Sequence, residues 1–222
     1  MPKLKCPQPL DNSEVALRRR PGGRLRPPKG PGSLSVMPAR RVPTPQRTVL
    51  EVDWPFFGEL CRGLALKVWK DFQPDLVCGV ARAGVIPGAV IASILRVDFA
   101  SITLKRSAEG ESPSLISRPT QSPRGRKVLL VDSTCESGDT VRLGLSLMKE
   151  EGAKVVRSAV AIRTGTWKPD YEALVNPAFV ILPWDRDVIE NGQIVVRPDY
   201  EDALRAEGRL APRAVPIPKI RS

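Results

Sequence analysis

Residues 128–140 constrain the fold of this chain more than any other segment. Four apolar residues precede Asp132, small or hydroxylic residues dominate the next positions, and a helical pattern begins at Thr140. An apolar run of this kind is typical of a buried strand in a parallel sheet. A tight polar loop that leads into a helix favours an anion, because unpaired N–H groups and the helix dipole both attract negative charge. The segment therefore predicts an α/β domain with an anion site where this strand ends.

A second strand–loop–helix unit precedes this one in the chain. Residues 76–80 are apolar and predict a buried strand, and Pro87 is expected to open a helix with an apolar face. Residues 81–84 are small apart from Arg82. Small residues let backbone N–H groups close around an anion, and a guanidinium is a planar donor to anionic oxygens. We therefore expect two anion-binding loops, one after each strand.

The other regular elements are predicted from apolar spacing. Residues 54–72 predict a helix with Pro55 in its first turn, and strands are predicted at 99–104, 155–162 and 179–185. The helix has its apolar side chains at positions that share one face, namely Phe57, Leu60, Cys61, Leu64, Ala65 and Val68.

Length and composition restrict the class of protein. The 222 residues suit one α/β domain with irregular tails, and no run is long and apolar enough to span a membrane. The chain has no histidine, which excludes histidine-based triads and leaves carboxylates, Lys and Tyr for acid–base chemistry. Cys61 and Cys78 lie in apolar patterns and are expected to be buried thiols, so a reducing cytoplasm is the expected location.

The basic character of the chain is concentrated at its beginning. Residues 1–47 hold eleven basic and two acidic residues, so they carry most of the net charge of +11. They are rich in Pro and Arg without apolar periodicity, which favours a disordered leader. A nucleic-acid-binding arm is the alternative, and it is disfavoured because no aromatic residue in this segment can stack on bases. Residues 206–222 are predicted to form a loose tail.

Residues 132–140 resemble the phosphoribosyl-pyrophosphate (PRPP) motif of the type I phosphoribosyltransferase family. That motif has an apolar strand, two acids, three variable positions and then Thr-Gly-x-Thr. This chain agrees or substitutes conservatively at four of its positions, Asp132, Ser137, Gly138 and Thr140. It departs at Ser133, which stands where the family has its second acid. A missing charge-assisted contact is worth about 1.5–3 kcal/mol, so weaker or redirected activity is one expectation.

Two further segments resemble loops of this family. Residues 79–87 are similar to its pyrophosphate loop, with Ala83 where purine members often have Gly. Residues 107–126 lack a regular period and stand where the family has a flexible loop that closes over the reacting centre. Such a loop would exclude water from the reaction.

Two later segments resemble the base-binding part of the purine members. Residues 167–171 are similar to the segment in which a lysine, here Lys168, donates to the 6-oxo group of the base. Residues 179–185 resemble the hood, where the ring of Phe179 would stack on the base and the backbone of Val180 and the acid of Asp185 would contact its edge. A surface turn for the first segment, and core or interface roles for Phe179 and Trp184, are the alternatives.

The resemblance implies a mostly parallel twisted sheet flanked by helices, with a small hood. The phosphoribosyltransferase domain would cover residues 48–205, with the hood and base-binding part at 167–200. The implied reaction transfers the phosphoribosyl group from Mg-bound PRPP to a nitrogenous base, most simply a 6-oxopurine in purine salvage, and releases pyrophosphate. The implied cofactor is Mg²⁺, and the implied assembly is a homo-oligomer, a dimer or a tetramer, without nucleic-acid or membrane partners.

The resemblance also assigns roles to residues. Glu136 would take the proton of the base, Asp132 would hold ribose hydroxyls, and Asp132 and Asp185 would help to hold the metal, partly through PRPP. The residues implied to bind PRPP are Ala81, Arg82, Ala83, Gly84, Lys105, Asp132, Ser133, Thr134, Cys135, Glu136, Ser137, Gly138, Asp139 and Thr140. The alternatives are a regulator that binds PRPP without turnover and a weak paralogue with a different acceptor.

Overall fold

The structure is a computed structural model that describes residues 48–105, 112–206 and 208. The predicted leader and nearly all of the predicted tail lie outside the described residues. The elements follow in the order β1 (Val49–Glu51), α1 (Trp54–Asp71), β2 (Leu76–Ala81), α2 (Val85–Leu95), β3 (Asp98–Lys105), β4 (Ser114–Ser117), β5 (Lys127–Cys135), α3 (Asp139–Glu150), β6 (Val155–Arg163), β7 (Tyr171–Val175), β8 (Phe179–Ile181), β9 (Asp187–Glu190), β10 (Gln193–Val196) and α4 (Pro198–Ala206).

The main sheet has six strands in the order β4-β3-β2-β5-β6-β7. All neighbours pair in parallel except β4, which runs antiparallel to β3 at the edge. From β2 the chain moves outward to β3, and from β5 it moves outward in the opposite direction to β6. The connections therefore diverge between β2 and β5, and in open α/β sheets ligands bind at the carboxyl ends of the strands at such a point. The predicted fold class is confirmed.

The two faces of the sheet bury two separate cores. On β5, Leu129 and Val131 pack with α1 and α2, whereas Val128 and Leu130 pack on the side of α3. Alternate strand residues point to opposite faces, so a strand covered by helices on both sides is apolar throughout. This explains why the apolar run before Asp132 shows no alternation.

Helix α1 follows its sequence prediction closely. The Asp53 side chain accepts a hydrogen bond from the Phe56 N–H at 2.8 Å, which caps the first turn, and Pro55 lies in that turn. Its buried residues are the six that the apolar spacing predicts, Phe57, Leu60, Cys61, Leu64, Ala65 and Val68.

A small second layer is built from segments far apart in the sequence. Strand β1 pairs in parallel with β8, strands β9 and β10 form a hairpin, and α4 follows. Val49, Ile181, Tyr200 and Leu204 form a small core of their own. We call this layer the hood; it corresponds to the later part of the predicted hood, with β1 as an addition that no local pattern indicated.

Several boundaries differ from the predictions. Helix α2 begins at Val85, two residues before Pro87, since proline is tolerated anywhere in a first turn. Strand β5 continues to Cys135 because it pairs with β6 to that point, so the following loop is shorter than expected. The segment predicted to be an irregular loop at 107–126 contains β4, a short edge strand in which the serines and the apolar Leu115 and Ile116 are all exposed, so no burial pattern marks it. The predicted strand at 179–185 ends at Ile181.

No helix in the described residues has both the length and the apolar character needed to cross a bilayer.

The buried thiols give a first prediction. Burial raises the pKa of Cys61 and of Cys78 to about 12, and only the thiolate is a good nucleophile. We expect neither thiol to react with iodoacetamide at pH 8 in the folded protein, and both to react in guanidinium chloride. Peptide mass mapping of the two samples makes the comparison, and labelling of either residue at equal rates in both would contradict it.

Candidate active site

The loop that follows β2 lies directly against the end of β5. A Cβ atom on Gly84 would lie 2.5 Å from the Val131 carbonyl oxygen and 2.8 Å from the Asp132 Cα atom. Both neighbours are backbone atoms, so only glycine fits at Gly84. We call residues 82–84 the β2 loop, and this contact fixes it beside the carboxylate that ends the apolar run.

The β2 loop also folds back on its own strand. A Cβ atom on Gly79 would lie 2.8 Å from both the Gly84 carbonyl oxygen and the Val85 Cα atom, and the Ala81–Arg82 peptide bond is cis. The Arg82 side chain is exposed, and Ala83 is half-buried. The predicted diphosphate-binding residues therefore form one compact turn with a guanidinium at its surface.

The loop that follows β5 is a tight turn into α3. Residues 136–138 form this β5 loop, and Gly138 has φ +81°, which favours glycine. Glu136 and Ser137 are exposed, and Thr140 is half-buried in the first turn of α3. The residues predicted to hold the 5′-phosphate thus lie at a helix N-terminus, where backbone N–H groups favour an anion.

A side-chain network occupies this turn. Ser137 Oγ donates to Asp139 Oδ2 at 2.7 Å, and Arg142 Nη2 donates to Asp139 Oδ1 at 2.6 Å and to the Ser137 carbonyl oxygen at 3.0 Å. The hydroxyl of Ser137, and then the guanidinium of Arg142, lower the pKa of Asp139 below its usual value. Sequence reasoning missed Arg142, although its position three residues after Asp139 on a helix is a signal that finds it.

The loop that follows β6 packs on the β5 loop. We call residues 164–170 the β6 loop. A Cβ atom on Gly165 would lie 2.2 Å from the Glu136 carbonyl oxygen, and one on Gly138 would lie 2.3 Å from Trp167 Cγ. The Thr164 and Gly165 N–H groups donate to the Cys135 carbonyl oxygen at 2.8 and 3.3 Å. The two loops are therefore in direct contact, through backbone atoms at Glu136 and through the Trp167 ring at Gly138, and the contact includes Glu136, the candidate general base.

Residues of the adjoining strands β6 and β7 hold the β6 loop in place. Arg163 Nε donates to Glu172 Oε2 at 2.5 Å, and Arg163 Nη1 donates to the Gly165 carbonyl oxygen at 2.8 Å. Both side chains are about four-fifths buried, at 20% and 22% exposed. A paired, partly buried guanidinium holds its geometry better than an exposed one, so Arg163 fixes the position of Gly165.

Three of the residues predicted to contact PRPP have buried side chains. Asp132 is 3% exposed and Ser133 is 0% exposed, while Cys135 packs in the core on the α3 side. The Ser133 N–H donates to Asp132 Oδ1 at 2.7 Å, and Ser133 Oγ has no hydrogen-bond partner among the described residues. A carboxylate in place of Ser133 would be enclosed, which is a physical reason for serine at this position. Thr134, next along the strand, is half-buried.

The predicted base-stacking residue belongs to the hood. The Phe179 ring is 5.5 Å from the buried Tyr200 ring at an interplanar angle of 67°, an edge contact. Val180 is buried, and it pairs with Leu50 of β1. Trp184 lies 4.7 Å from Phe57, ring to ring, so its role is packing on α1.

The predicted acid of the hood has a partner that sequence reasoning missed. Arg197 Nη2 donates to Asp185 Oδ1 at 3.3 Å, and Arg197 Nε donates to the Asp185 carbonyl oxygen at 3.0 Å. Arg197 also stacks on the Tyr200 ring, with its Cζ 5.3 Å from the ring centroid. Asp185 is therefore held in a defined position by the hood itself.

Two lysines of the prediction are at exposed positions. Lys105 is the last residue of β3, and Lys168 follows Trp167 in the β6 loop. Trp167 contacts Gly138 of the β5 loop. Lys168 is the next residue in the chain, so it lies beside the contact between the β5 and β6 loops.

A metal site is not complete in the protein alone. The described residues contain no group of three His, Cys, Asp or Glu side chains that could hold an ion. Asp132, one of the two predicted ligands, is almost fully enclosed. The described residues therefore do not fit a resident magnesium ion.

The chain is similar to known proteins over a range that includes the three loops described above. Residues 52–188 match the model of the phosphoribosyl transferase domain. The chain is 29% identical over 137 residues to an adenine phosphoribosyltransferase of Cupriavidus necator, across 50% of this chain and 72% of that protein. It is 32% identical over 92 residues to an orotate phosphoribosyltransferase of Lactococcus lactis, across 41% of this chain and 42% of that protein.

A solved structure matches over a similar extent. The purine phosphoribosyltransferase from Pyrococcus horikoshii superimposes with a TM-score of 0.58 and 26% identity, covering 64% of this chain and 98% of that chain.

Proposed function

Because the chain belongs to the phosphoribosyl transferase family, we propose that it transfers the 5-phosphoribosyl group of Mg-bound PRPP to a 6-oxopurine and releases pyrophosphate. The observation that carries the proposal is the convergence of three loops at one edge of the sheet. Gly84 brings the β2 loop against Asp132, and Gly165 and Trp167 bring the β6 loop against the β5 loop. Magnesium enters bound to PRPP and not in a resident protein site, and the contacts to it that were predicted for Asp132 and Asp185 would form only through that complex.

The β2 loop and the β5 loop bind different parts of PRPP in this proposal. The β2 loop with Arg82 holds the diphosphate, and Lys105 adds a positive charge. The segment from Thr134 to Thr140, which contains the β5 loop, holds the 5′-phosphate and the ribose. Glu136, at the mouth of that turn, takes the proton from the purine nitrogen.

The proposed step is a displacement at C1 of the ribose. A lone pair of the purine nitrogen forms the new bond to C1, the bond from C1 to the diphosphate oxygen breaks, and its electrons leave with pyrophosphate. Glu136 accepts the proton that the nitrogen loses. The ribose carbon becomes electron-poor as in glycoside cleavage, so donors aimed at the leaving oxygens lower the barrier.

Residues 107–126 are proposed to cover the reacting centre. The described part of this segment contains β4, which is exposed and lies beside the end of β3. It is tied back by the Thr120 N–H, which donates to the Ser101 carbonyl oxygen at 3.0 Å. An exposed edge strand held near its end can shift over the site with little loss of packing.

The choice of base rests on the β6 loop. Lys168 can donate to a 6-oxo group but not to an amino group, which favours hypoxanthine, guanine or xanthine over adenine. A different acceptor is the second candidate, because similar proteins are named for adenine and for orotate. A cytoplasmic location and purine salvage belong to the first candidate.

The test is pyrophosphate release from PRPP and Mg²⁺ with hypoxanthine, guanine, xanthine, adenine and orotate in turn. Fastest turnover with an oxopurine supports the proposal, and fastest turnover with adenine or orotate replaces it by the second candidate. Binding of PRPP without release for any base would leave a PRPP-binding regulator.

Lys168 gives a specific prediction for the base. In Lys168→Ala, KM for the oxopurine should rise about 10- to 150-fold, which corresponds to a lost charged hydrogen bond of about 1.5–3 kcal/mol. KM for PRPP should change little, since Lys168 is assigned to the base. Steady-state kinetics with each substrate varied measure the two constants.

Lys154→Ala is the matched control, because Lys154 is an exposed lysine just before β6, at the amino ends of the strands and away from the site. Equal rises in both KM values for Lys168→Ala would remove Lys168 from base recognition.

A further inference from the structure

Asp139 holds the donors that a phosphate at the start of α3 would use. This point rests on the proposed function, which places the 5′-phosphate of PRPP in the β5 loop. The Asp139 carboxylate accepts a hydrogen bond from Ser137 Oγ at 2.7 Å and another from Arg142 Nη2 at 2.6 Å. A phosphate oxygen that binds in this turn would use the same hydroxyl, and the Arg142 guanidinium is a positive group that already contacts the turn. The carboxylate therefore stands in the place of the anion.

The backbone of the turn has little freedom to make room for both anions. Trp167 lies on Gly138 so closely that an added Cβ would be 2.3 Å from its Cγ atom. At the start of the turn, Gly165 lies against the Glu136 carbonyl group. A turn held by an indole ring at Gly138 and by a backbone contact at Glu136 keeps its shape, so the side chain of Asp139 has to move when phosphate binds.

The movement of Asp139 is physically easy. The Asp139 and Arg142 side chains are 49% and 52% exposed, and exposed ion pairs contribute little to stability because water screens them. Displacing the pair therefore costs little, whereas leaving a carboxylate beside a dianion is unfavourable. Repulsion between the two negative groups is the larger effect.

Arg142 stays at the turn after Asp139 leaves. Its Nη2 also donates to the Ser137 carbonyl oxygen at 3.0 Å, and its Cζ lies 5.9 Å from the centroid of the Trp167 ring. Both contacts are independent of the Asp139 carboxylate. The guanidinium that Asp139 releases remains beside the phosphate position, where it can donate two hydrogen bonds.

We propose that Asp139 is an internal competitor of the 5′-phosphate, and that Arg142 is a phosphate ligand which Asp139 occupies in the free protein. The pair sets how tightly the phosphate end of the substrate binds. It lowers the affinity for any phosphate monoester, and it favours dianions strong enough to displace a carboxylate.

Calorimetric titration with ribose 5-phosphate tests the proposal in the full-length protein. Asp139→Asn keeps an acceptor for Ser137 Oγ but removes the charge, and it should bind roughly tenfold more tightly than the wild type. Arg142→Gln should bind roughly tenfold more weakly. Glu150→Gln, the same charge change at the other end of α3, should bind as the wild type does. Melting curves of all variants confirm that they are folded.

Each outcome decides the question. Weaker or unchanged binding by Asp139→Asn overturns the proposal, and weaker binding would mean that Asp139 orients Ser137 for the phosphate. Unchanged binding by Arg142→Gln removes Arg142 as a ligand. If the folded wild type does not bind ribose 5-phosphate at all, the proposed function fails together with this inference, whereas wild-type binding with no gain in Asp139→Asn overturns this inference alone.

Discussion

Replacing Glu136 with Gln should lower kcat by about 10²- to 10⁴-fold, the usual contribution of a positioned general base. The chain has no histidine, which leaves carboxylates, Lys and Tyr for proton transfer, and the proposed function assigns this task to a carboxylate. Asp132 is 3% exposed and one of its oxygens accepts the Ser133 N–H, whereas Glu136 is exposed at the mouth of the site. Glu136 is therefore the carboxylate that can reach a bound purine.

The amide of glutamine has the size of the carboxylate but does not accept the proton, so substrate binding should persist. Single-turnover kinetics with Mg-bound PRPP measure the chemical step, and calorimetry with PRPP checks that binding is retained. Glu136→Asp is the matched variant, and it should recover part of the rate because the carboxylate is present but shorter. A full rate in Glu136→Gln would show that water or another group removes the proton.

Replacing Gly165 with Ala should lower kcat/KM by roughly a hundredfold, because it displaces the loop that carries Glu136. An added Cβ would lie 2.2 Å from the Glu136 carbonyl oxygen and 2.7 Å from the carbonyl carbon. Both atoms belong to the backbone, so no side-chain rotation relieves the contact and the two loops have to separate. The free energy of unfolding should fall by about 1–3 kcal/mol, as for other overpacked sites.

Gly63→Ala is the control for this change. Gly63 lies within α1, and an added Cβ would meet no atom within 4 Å. Alanine there should keep full activity and raise stability by about 0.5–1 kcal/mol, since glycine is unfavourable in a helix interior. Steady-state kinetics and urea denaturation of both variants give the comparison. Normal kcat/KM in Gly165→Ala would mean that the contact between the two loops does not position Glu136.

Local patterns were enough to find the elements that frame the site. The apolar run before Asp132, the small loop and the helical pattern that begins at Thr140 correspond to β5, the β5 loop and α3. The six buried positions of α1 were also predicted. These signals are readable in one sequence because burial on one or both faces of an element imposes a short-range period.

The enclosure of single side chains did not follow from those patterns. Ser133 follows an acid that was expected to face ribose, yet its side chain is fully buried. Near the end of a strand, whether a side chain is covered depends on what the neighbouring strands and helices place above it. The same holds for Trp184, which could have been an interface residue and instead packs on Phe57.

The contacts that join the site came from the tertiary structure alone. Strand β1 pairs with β8, Gly165 meets Glu136, Trp167 covers Gly138, and Arg197 holds Asp185. Each contact joins segments that are distant in sequence or lie in irregular loops, where no period reports burial. The sequence by itself determined the family and the elements that frame the site, namely β2, β3, β5 and β6 with α1, α2 and α3, because these depend on neighbours along the chain. Which loops touch depended on the order of strands in the sheet, which brings their carboxyl ends to one edge.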